Sequence, residues 1–519
     1  DQILTAKTMK SYSFLKKYLL AATATAALLF SACDLDEHPT SFVGPKEYYK
    51  TRAQCLAGLN ACYIPINSIY DYCFLIMTEG VTDLMYIASG TKDAQLDISP
   101  AKPLNGQKIW TQCYKGVMYC NSTIAAIERS PLNDIKESSE ADKLPLLAEG
   151  VVIRSFYYWL LTCIFGDVPF YTDDVSDHEV LDRVAKLPRM SAEATRTALI
   201  EDLESCLGAL PLIRTSEAAG NRAGAAMGHM LIAKLAMWNK DYDKALEAIA
   251  VLEQIYGDDL SAYPVSDIPF RMKNTPESIF EVQHTYTAGG LIYTSNVASI
   301  CMPYPRNSDN IYSNVVIEEL GDAATTWSPL RPNSFFYGNL MPEGGEDLRR
   351  DMQIITEWNG VKFTSGDAIV TRPFMGPKFW CPDLQAAYDS NNYKVFRYAD
   401  AVLMAAECYC ALLDKDKAME YLNKVKRRAG IAEYTRFRTY PLLLNEIQNE
   451  RGRELLGEFQ RKFDMVRWGI WYERTAALSD YAKVKTSIQP CHEYYPIPDT
   501  EVIYSGGALD NNEYKKYGF

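Results

Sequence analysis

The sequence predicts a mainly α chain, a scaffold of tetratricopeptide-like helical repeats interrupted by one loop-rich insertion. Three observations carry that prediction. Asp241-Tyr-Asp-Lys-Ala245-Leu246 is echoed by Asp414-Lys-Asp-Lys-Ala418-Met419, and each string runs into the same apolar stripe. Ala245, Ile249, Leu252 and Tyr256, like Ala418, Leu422, Val425 and Ala429, recur in steps of 4, 3 and 4, one face of an α-helix. Arg397 to Gly430 spans 34 residues, the tetratricopeptide period. Between the echoes, residues 257–392 carry eleven prolines at irregular spacing, which excludes long helices there.

The N-terminus comes first in chain order. Lys10, Lys16 and Lys17 precede an apolar stretch, Leu19–Phe30, broken only by Thr23 and Thr25. Twelve residues cannot span a hydrocarbon core of roughly 30 Å, so residues 1–32 read as a signal peptide rather than an anchor helix. Residues 1–8 precede Met9-Lys10, a more natural start. Ser31-Ala32-Cys33 resembles the lipobox of a bacterial lipoprotein, with Cys33 as the lipidated residue. Asp34, Asp36 and Glu37 follow it. The formal charge of −13 becomes about −16 without the signal peptide. That acidity disfavours nucleic acid, whose phosphates need a concentrated basic face.

Cys33 apart, twelve of the thirteen cysteines remain, an even number that invites disulfides in an exported chain. Cys55/Cys62 and Cys113/Cys120, however, are each spaced by seven, which puts each pair on one helix face about 10 Å apart, beyond bridging within the helix. The other reading, small buried hydrophobes, suits Cys163, Cys206 and Cys408 in apolar stripes.

The repeats follow. Helices over Leu146–Phe165 and the stripe Leu199, Leu203, Cys206, Leu210 make a first unit, split by the Asp-rich stretch Gly166–Arg189. Ala223–Asn239 and the stripe from Ala245 make a second, and Tyr398–Leu413 with the stripe from Ala418 a third. Residues 440–472 offer a fourth. Ala225, Ala226, Ala233, Ala405 and Ala406 let paired helices approach closely, and stacked units share a core that one unit could not bury alone. The repeats thus lie near 143–256 and 395–475 of a single domain, 33–519. The insertion, 257–392, holds Trp327, Phe335, Phe336, Trp358 and Trp380, too much apolar bulk for a disordered segment.

No catalytic constellation accompanies this scaffold. GxSxG, GxxxxGK, GxGxxG, HExxH and CxxC are all absent, and there is no EF-hand loop. Asp173-Asp174 and Asp258-Asp259 read as turns or helix caps. Glu450 and Glu454, one turn apart, read as structural ion pairs, as does Arg467.

The strings themselves resemble one family. Leu147-Ala-Glu149 through Arg154, then Phe165-Gly-Asp-Val-Pro169, is similar to the first repeat of SusD/RagB outer-membrane lipoproteins. Arg397-Tyr-Ala-Asp400, Ala405-Ala-Glu407 and Arg427-Arg-Ala-Gly430 resemble its most distinctive block. Glu450-Arg451, Glu454-Leu455, Phe463-Asp464 and Arg467-Trp468 match its next helix. Tyr495-Pro-Ile-Pro498 with Glu501 and Asn511 resembles its tail, Ser278–Gln283 its central strand, and Asp34–Tyr63 its N-terminal stretch. The resemblance implies a cell-surface lipoprotein of the outer membrane that binds oligosaccharide, or in some members peptide. It also implies a SusC-like TonB-dependent transporter as partner, and no cofactor, metal or catalysis. A tetratricopeptide-type protein-interaction scaffold is the alternative.

A sugar ring needs a flat aromatic for its C–H face and polar groups for its hydroxyls. The chain has 35 Tyr against 19 Phe, residues that supply both. By position, the expected ligand-binding residues are Tyr86, Lys92 and Asp93 in one segment, and Tyr293, Tyr304, Trp327, Arg331 and Tyr337 in the other. Asp83 reads as structural.

Overall fold

The two echoing strings open with the residues that start their helices. In a computed structural model of the chain, Asp241 accepts a hydrogen bond from the Lys244 amide at 3.1 Å, and Asp414 does the same for Lys417 at 3.1 Å. Thr51, Ser191 and Thr439 cap three further helices, each satisfying an amide that the helix itself leaves open. The structure describes residues 48–87, 91–133, 142–285, 293–303, 326, 329–358, 361–362, 373–382 and 384–519. The chain divides into two units, Asp1–Lys50 and Thr51–Phe519.

The second unit carries the helices α1 (Arg52–Ile69), α2 (Tyr72–Thr78), α3 (Asn105–Glu128), α4 (Leu144–Phe165), α5 (Ala192–Cys206), α6 (Ala225–Trp238) and α7 (Tyr242–Tyr256), followed after the insertion by α8 (Tyr398–Ala411), α9 (Lys415–Arg428), α10 (Tyr440–Glu454) and α11 (Arg461–Arg467). Neighbours in sequence are neighbours in space. The chain of contacts runs α1–α3–α4–α5–α6–α7–α8–α9, and α10 closes on α8 and α9. The pairs α4/α5, α6/α7 and α8/α9 are the three repeats expected. A further pair, α1/α3, stacks ahead of them, hidden in the sequence because residues 70–104 separate its two helices. Residues 440–472 give the closing helix α10 and the seven-residue α11.

α4 explains why the stack holds. Every residue from Val152 to Phe165 is buried, so the helix is covered on all sides. Among the described residues it is the one helix long and apolar enough to cross a membrane, and its burial marks it as the core of this unit. Small residues are enclosed elsewhere in the stack as well. Ala405 and Ala406 of α8 are fully buried, as their spacing predicts.

The insertion is framed by strands. β1 (Met85–Ile87) pairs antiparallel with β3 (Leu330–Pro332). β2 (Ser278–Val282) pairs antiparallel with β4 (Tyr393–Arg397), which runs straight into α8. Phe280 and Phe396 of the β2/β4 pair meet Phe156 of α4 at 5.3 and 5.9 Å between ring centroids, tying the strands to the repeats. Ala298, Met302, Ile355, Phe374, Trp380, Cys381 and Leu384 make a satellite core with Trp358 against it, while Phe270, Leu330, Phe336 and Phe379 of the insertion join the main core.

Buried charge fastens the insertion to the scaffold. Arg397 reaches Glu277 at 2.9 Å, Glu454 at 2.9 Å and Glu458 at 2.8 Å. Arg349 reaches Asp347 at 2.7 Å and both Glu450 and Glu454 at 2.8 Å. Arg467 pairs with Glu407. Glu450 and Glu454 are in structural ion pairs, as their spacing predicts. Asp83 is structural too, held by Arg461 at 2.7 Å and Arg474 at 2.6 Å. The tail is pinned: Tyr495 donates its amide to the Ile164 carbonyl at 2.7 Å, and Asn511 clasps Ile497 through amide and carbonyl, both at 2.8 Å.

Candidate functional site

The eight residues expected to meet ligand fall in different places. Tyr304 and Trp327 lie outside the described residues, as does the lipidation residue Cys33. Tyr86 and Arg331 are brought together as directly opposed partners on β1 and β3. Arg331 is only 7% exposed, and its guanidinium lies 3.6 Å from the centroid of the Phe374 ring, in contact with the satellite core. Asp93 is 5% exposed and accepts from Asn105 Nδ2 at 2.7 Å and the Tyr495 hydroxyl at 3.1 Å, so it anchors the tail. Lys92 is exposed and pairs with Asp97 at 3.3 Å. Tyr337 is half-buried against the main core. Burial raises its hydroxyl pKa, and Asp480 adds to the shift.

Tyr293 stands apart from these. It is 45% exposed and lines a cavity of about 500 Å³ with Asn60, Tyr63, Asn67, Gln283 and His284. α1 supplies one wall. There the Tyr63 hydroxyl donates to Glu149 at 2.6 Å and accepts from the Ala223 amide at 2.9 Å. Arg222 holds the same Glu149 at 2.8 Å and Asn60 Oδ1 at 2.6 Å, which fixes the Asn60 side chain as well. Each group is locked by a partner behind it, so the wall needs little ordering when a ligand arrives.

The end of β2 supplies the other wall. Asn67 Nδ2 donates to the Gln283 carbonyl at 3.1 Å, and the Gln283 side chain exchanges hydrogen bonds with Asn274 at 2.8 and 3.0 Å. The His284 ring lies 4.5 Å from that of Tyr393. Burial brings its pKa down to about 4, so the imidazole is neutral at pH 7, and its Nδ1 is buried without a hydrogen-bond partner. The Tyr293 carbonyl accepts from the Thr285 amide at 2.8 Å, setting the tyrosine over the mouth.

The Arg222–Glu149 pair cancels its own charge. Glu281, also in the lining, is paired with Lys394 at 3.1 Å. What remains is aromatic and aliphatic surface with amide groups, a lining suited to a neutral ligand with an apolar face and many hydroxyls. Of this lining, sequence reasoning singled out Tyr293 by its position. Asn60, Tyr63, Arg222 and His284 come from three separate stretches and share no motif, so only the fold gathers them.

The fold has relatives. The model of the SusD family matches residues 384–514, and one described as "Starch-binding associating with outer membrane" matches residues 77–226. SusD-like protein P25 of Formosa agariphila is 24% identical, over 94% of this chain and 98% of that protein. Surface glycan-binding protein A from Bacteroides thetaiotaomicron superposes with a TM-score of 0.69 at 20% identity, covering 90% of this chain and 99% of that one. Its complex with laminarihexaose gives 0.68 at 20% identity, with coverages of 89% and 99%. Two family matches in order along the chain, a relative spanning nearly its whole length and the shared helical fold agree: the chain belongs to the SusD family.

Proposed function

We propose that this chain is a surface lipoprotein that binds oligosaccharide and passes it, without catalysis, to a SusC-like TonB-dependent transporter of the outer membrane. The observation that carries the reading is the Tyr293 cavity, where an aromatic mouth meets walls of fixed amide groups. A relative of the same fold is seen with laminarihexaose, which supports a neutral glucan as the first ligand to try. A sugar ring would lay its C–H face on Tyr293 and turn its hydroxyls to Asn60, Asn67 and Gln283. Tyr304 and Trp327 belong to the same proposal as further stacking residues. Cys33 is its membrane tether, since a lipoprotein cysteine carries more than one acyl chain and so attaches stably.

Calorimetric titration with a panel of neutral oligosaccharides tests the reading. Tyr293→Ala should weaken binding by about 0.5–1.5 kcal/mol, the worth of an aromatic face, and leave the melting temperature unchanged. Trp327→Ala in the same assay tests that residue. Binding of peptides and not sugars would replace the ligand class, and breakdown of a bound sugar would overturn the non-catalytic role. For the tether, Cys33→Ala should move the protein from the membrane to the soluble fraction; a mutant that stays with the membrane defeats it.

A further inference from the structure

Arg196 of α5 is a buried charge that meets no carboxylate among the described residues. It is 6% exposed, its guanidinium lies 4.5 Å from the centroid of the Trp238 ring, and its Nε and Nη2 are buried without hydrogen-bond partners. Burial lowers its pKa from the ordinary arginine value. Arg154, Arg349, Arg397 and Arg451 are buried as well, yet each holds an acidic side chain within 3 Å. A buried guanidinium left without an anion is costly, so its retention calls for an explanation.

Beside Arg196 lies a cavity of about 400 Å³, within the range that holds a small ligand. It is bounded by the end of α4, the start of α5 and the C-terminal tail. Arg189, the second cation on its wall, is already committed to the carbonyls of Asp167, Phe165 and Asp510 at 2.7, 3.2 and 3.2 Å. Asp167 is committed to the Ala192 amide at 2.8 Å. Arg196 is therefore the cation left to meet an incoming anion. Tyr494 and Tyr517 add aromatic surface, with Tyr517 on the rim at 44% exposure. Gly166 beside the Tyr494 ring takes φ 71°, a backbone conformation that favours glycine. Asp167, Glu493 and Glu513 also line the cavity, and their charge opposes a doubly charged phosphate more than a single carboxylate.

We propose that this cavity is a second ligand site, separate from the Tyr293 cavity, that takes a sugar bearing a carboxylate: a uronic-acid ring with its carboxylate on the Arg196 fork and its C–H face on Tyr494 and Tyr517. The planar guanidinium matches a carboxylate edge to edge, and the tyrosines distinguish a ring from a bare anion. The proposal stands independently of what the Tyr293 cavity binds.

Calorimetric titration of the purified chain with D-glucuronate, D-glucose, acetate and sulfate tests it. Glucuronate should bind at one site, with the other three weaker by about tenfold or more. Arg196→Gln should weaken glucuronate by about tenfold and leave neutral oligosaccharide binding as it was. Tyr517→Ala, on the exposed rim, gives the same reading for glucuronate should Arg196→Gln fold poorly. Equal binding of acetate or sulfate, no binding of glucuronate, or unchanged affinity in a folded Arg196→Gln or in Tyr517→Ala would each overturn the proposal.

Discussion

Gly116 marks a close contact between α3 and α4. A Cβ placed there would lie 2.2 Å from the Tyr157 ring, and that ring cannot swing away because its hydroxyl donates to the Cys62 carbonyl at 2.6 Å. Gly116→Ala should therefore destabilise the protein by about 1–3 kcal/mol despite the better helix propensity of alanine, as thermal unfolding would show. The sequence displays the alanines of α8 as small residues in an apolar stripe, but it does not display Gly116, whose need arises across the α3–α4 contact. The same limit governs Lys92 and Asp93. Adjacent polar residues look alike in a sequence, yet Lys92 faces water while Asp93 is enclosed between Asn105 and Tyr495. Cys62 and Cys120 make the point again. Each is legible as one of a pair on its own helix, while the contact between their thiols, with Cys62 Sγ also 3.7 Å from Thr123 Oγ1, exists only once α1 and α3 pack.

Between elements, the decisive object is the buried charge cluster around Arg397. Glu277 comes from the turn that leads into β2, Lys378 and Arg349 from the insertion, and Glu454 and Glu458 from α10 and the turn after it. Removing one partner of such a cluster leaves the others charged and dry. Arg397→Met should cost about 3–5 kcal/mol in urea unfolding, whereas Arg397→Met with Glu458→Gln should recover part of that loss. The α10 carboxylates are legible as structural from their one-turn spacing. Their partners are not, because Arg349 and Glu454 are 105 residues apart and no local pattern links them. The helices of the repeats are legible for the opposite reason, since their caps and stripes are written within a few residues.

Across the unit Thr51–Phe519, buried titratable groups set the response to acid. Burial brings His284 and His492 down to about 4, with Lys462 assisting at His492. Burial alone would raise Glu450 and Asp464, but Arg349 with Arg453, and Arg451 with Arg467, outweigh it and hold both at about 2. The signs agree. Between pH 6.5 and 4 the unfolded histidines take up protons that the folded ones refuse, and stability falls as pH falls. From about 4.5 down toward 2 the unfolded carboxylates protonate first, and the stability they contribute above that range is lost. The melting temperature should thus begin to drop near pH 6.5, ahead of the carboxylate range, and His492→Gln should flatten that upper limb. An upper limb identical in His492→Gln and the parent would mean that His492 is not held neutral. One feature of the fold reaches further than stability. β2 and β4 lie side by side, with Ser278 opposite Arg397, so the chain departs from the repeats and returns to them at a single doorway. The entropy of closing such an excursion grows only with the logarithm of its length, about 0.6 kcal/mol for each doubling. A lineage can lengthen, shorten or exchange what lies beyond the doorway while the helices behind it stay as inherited.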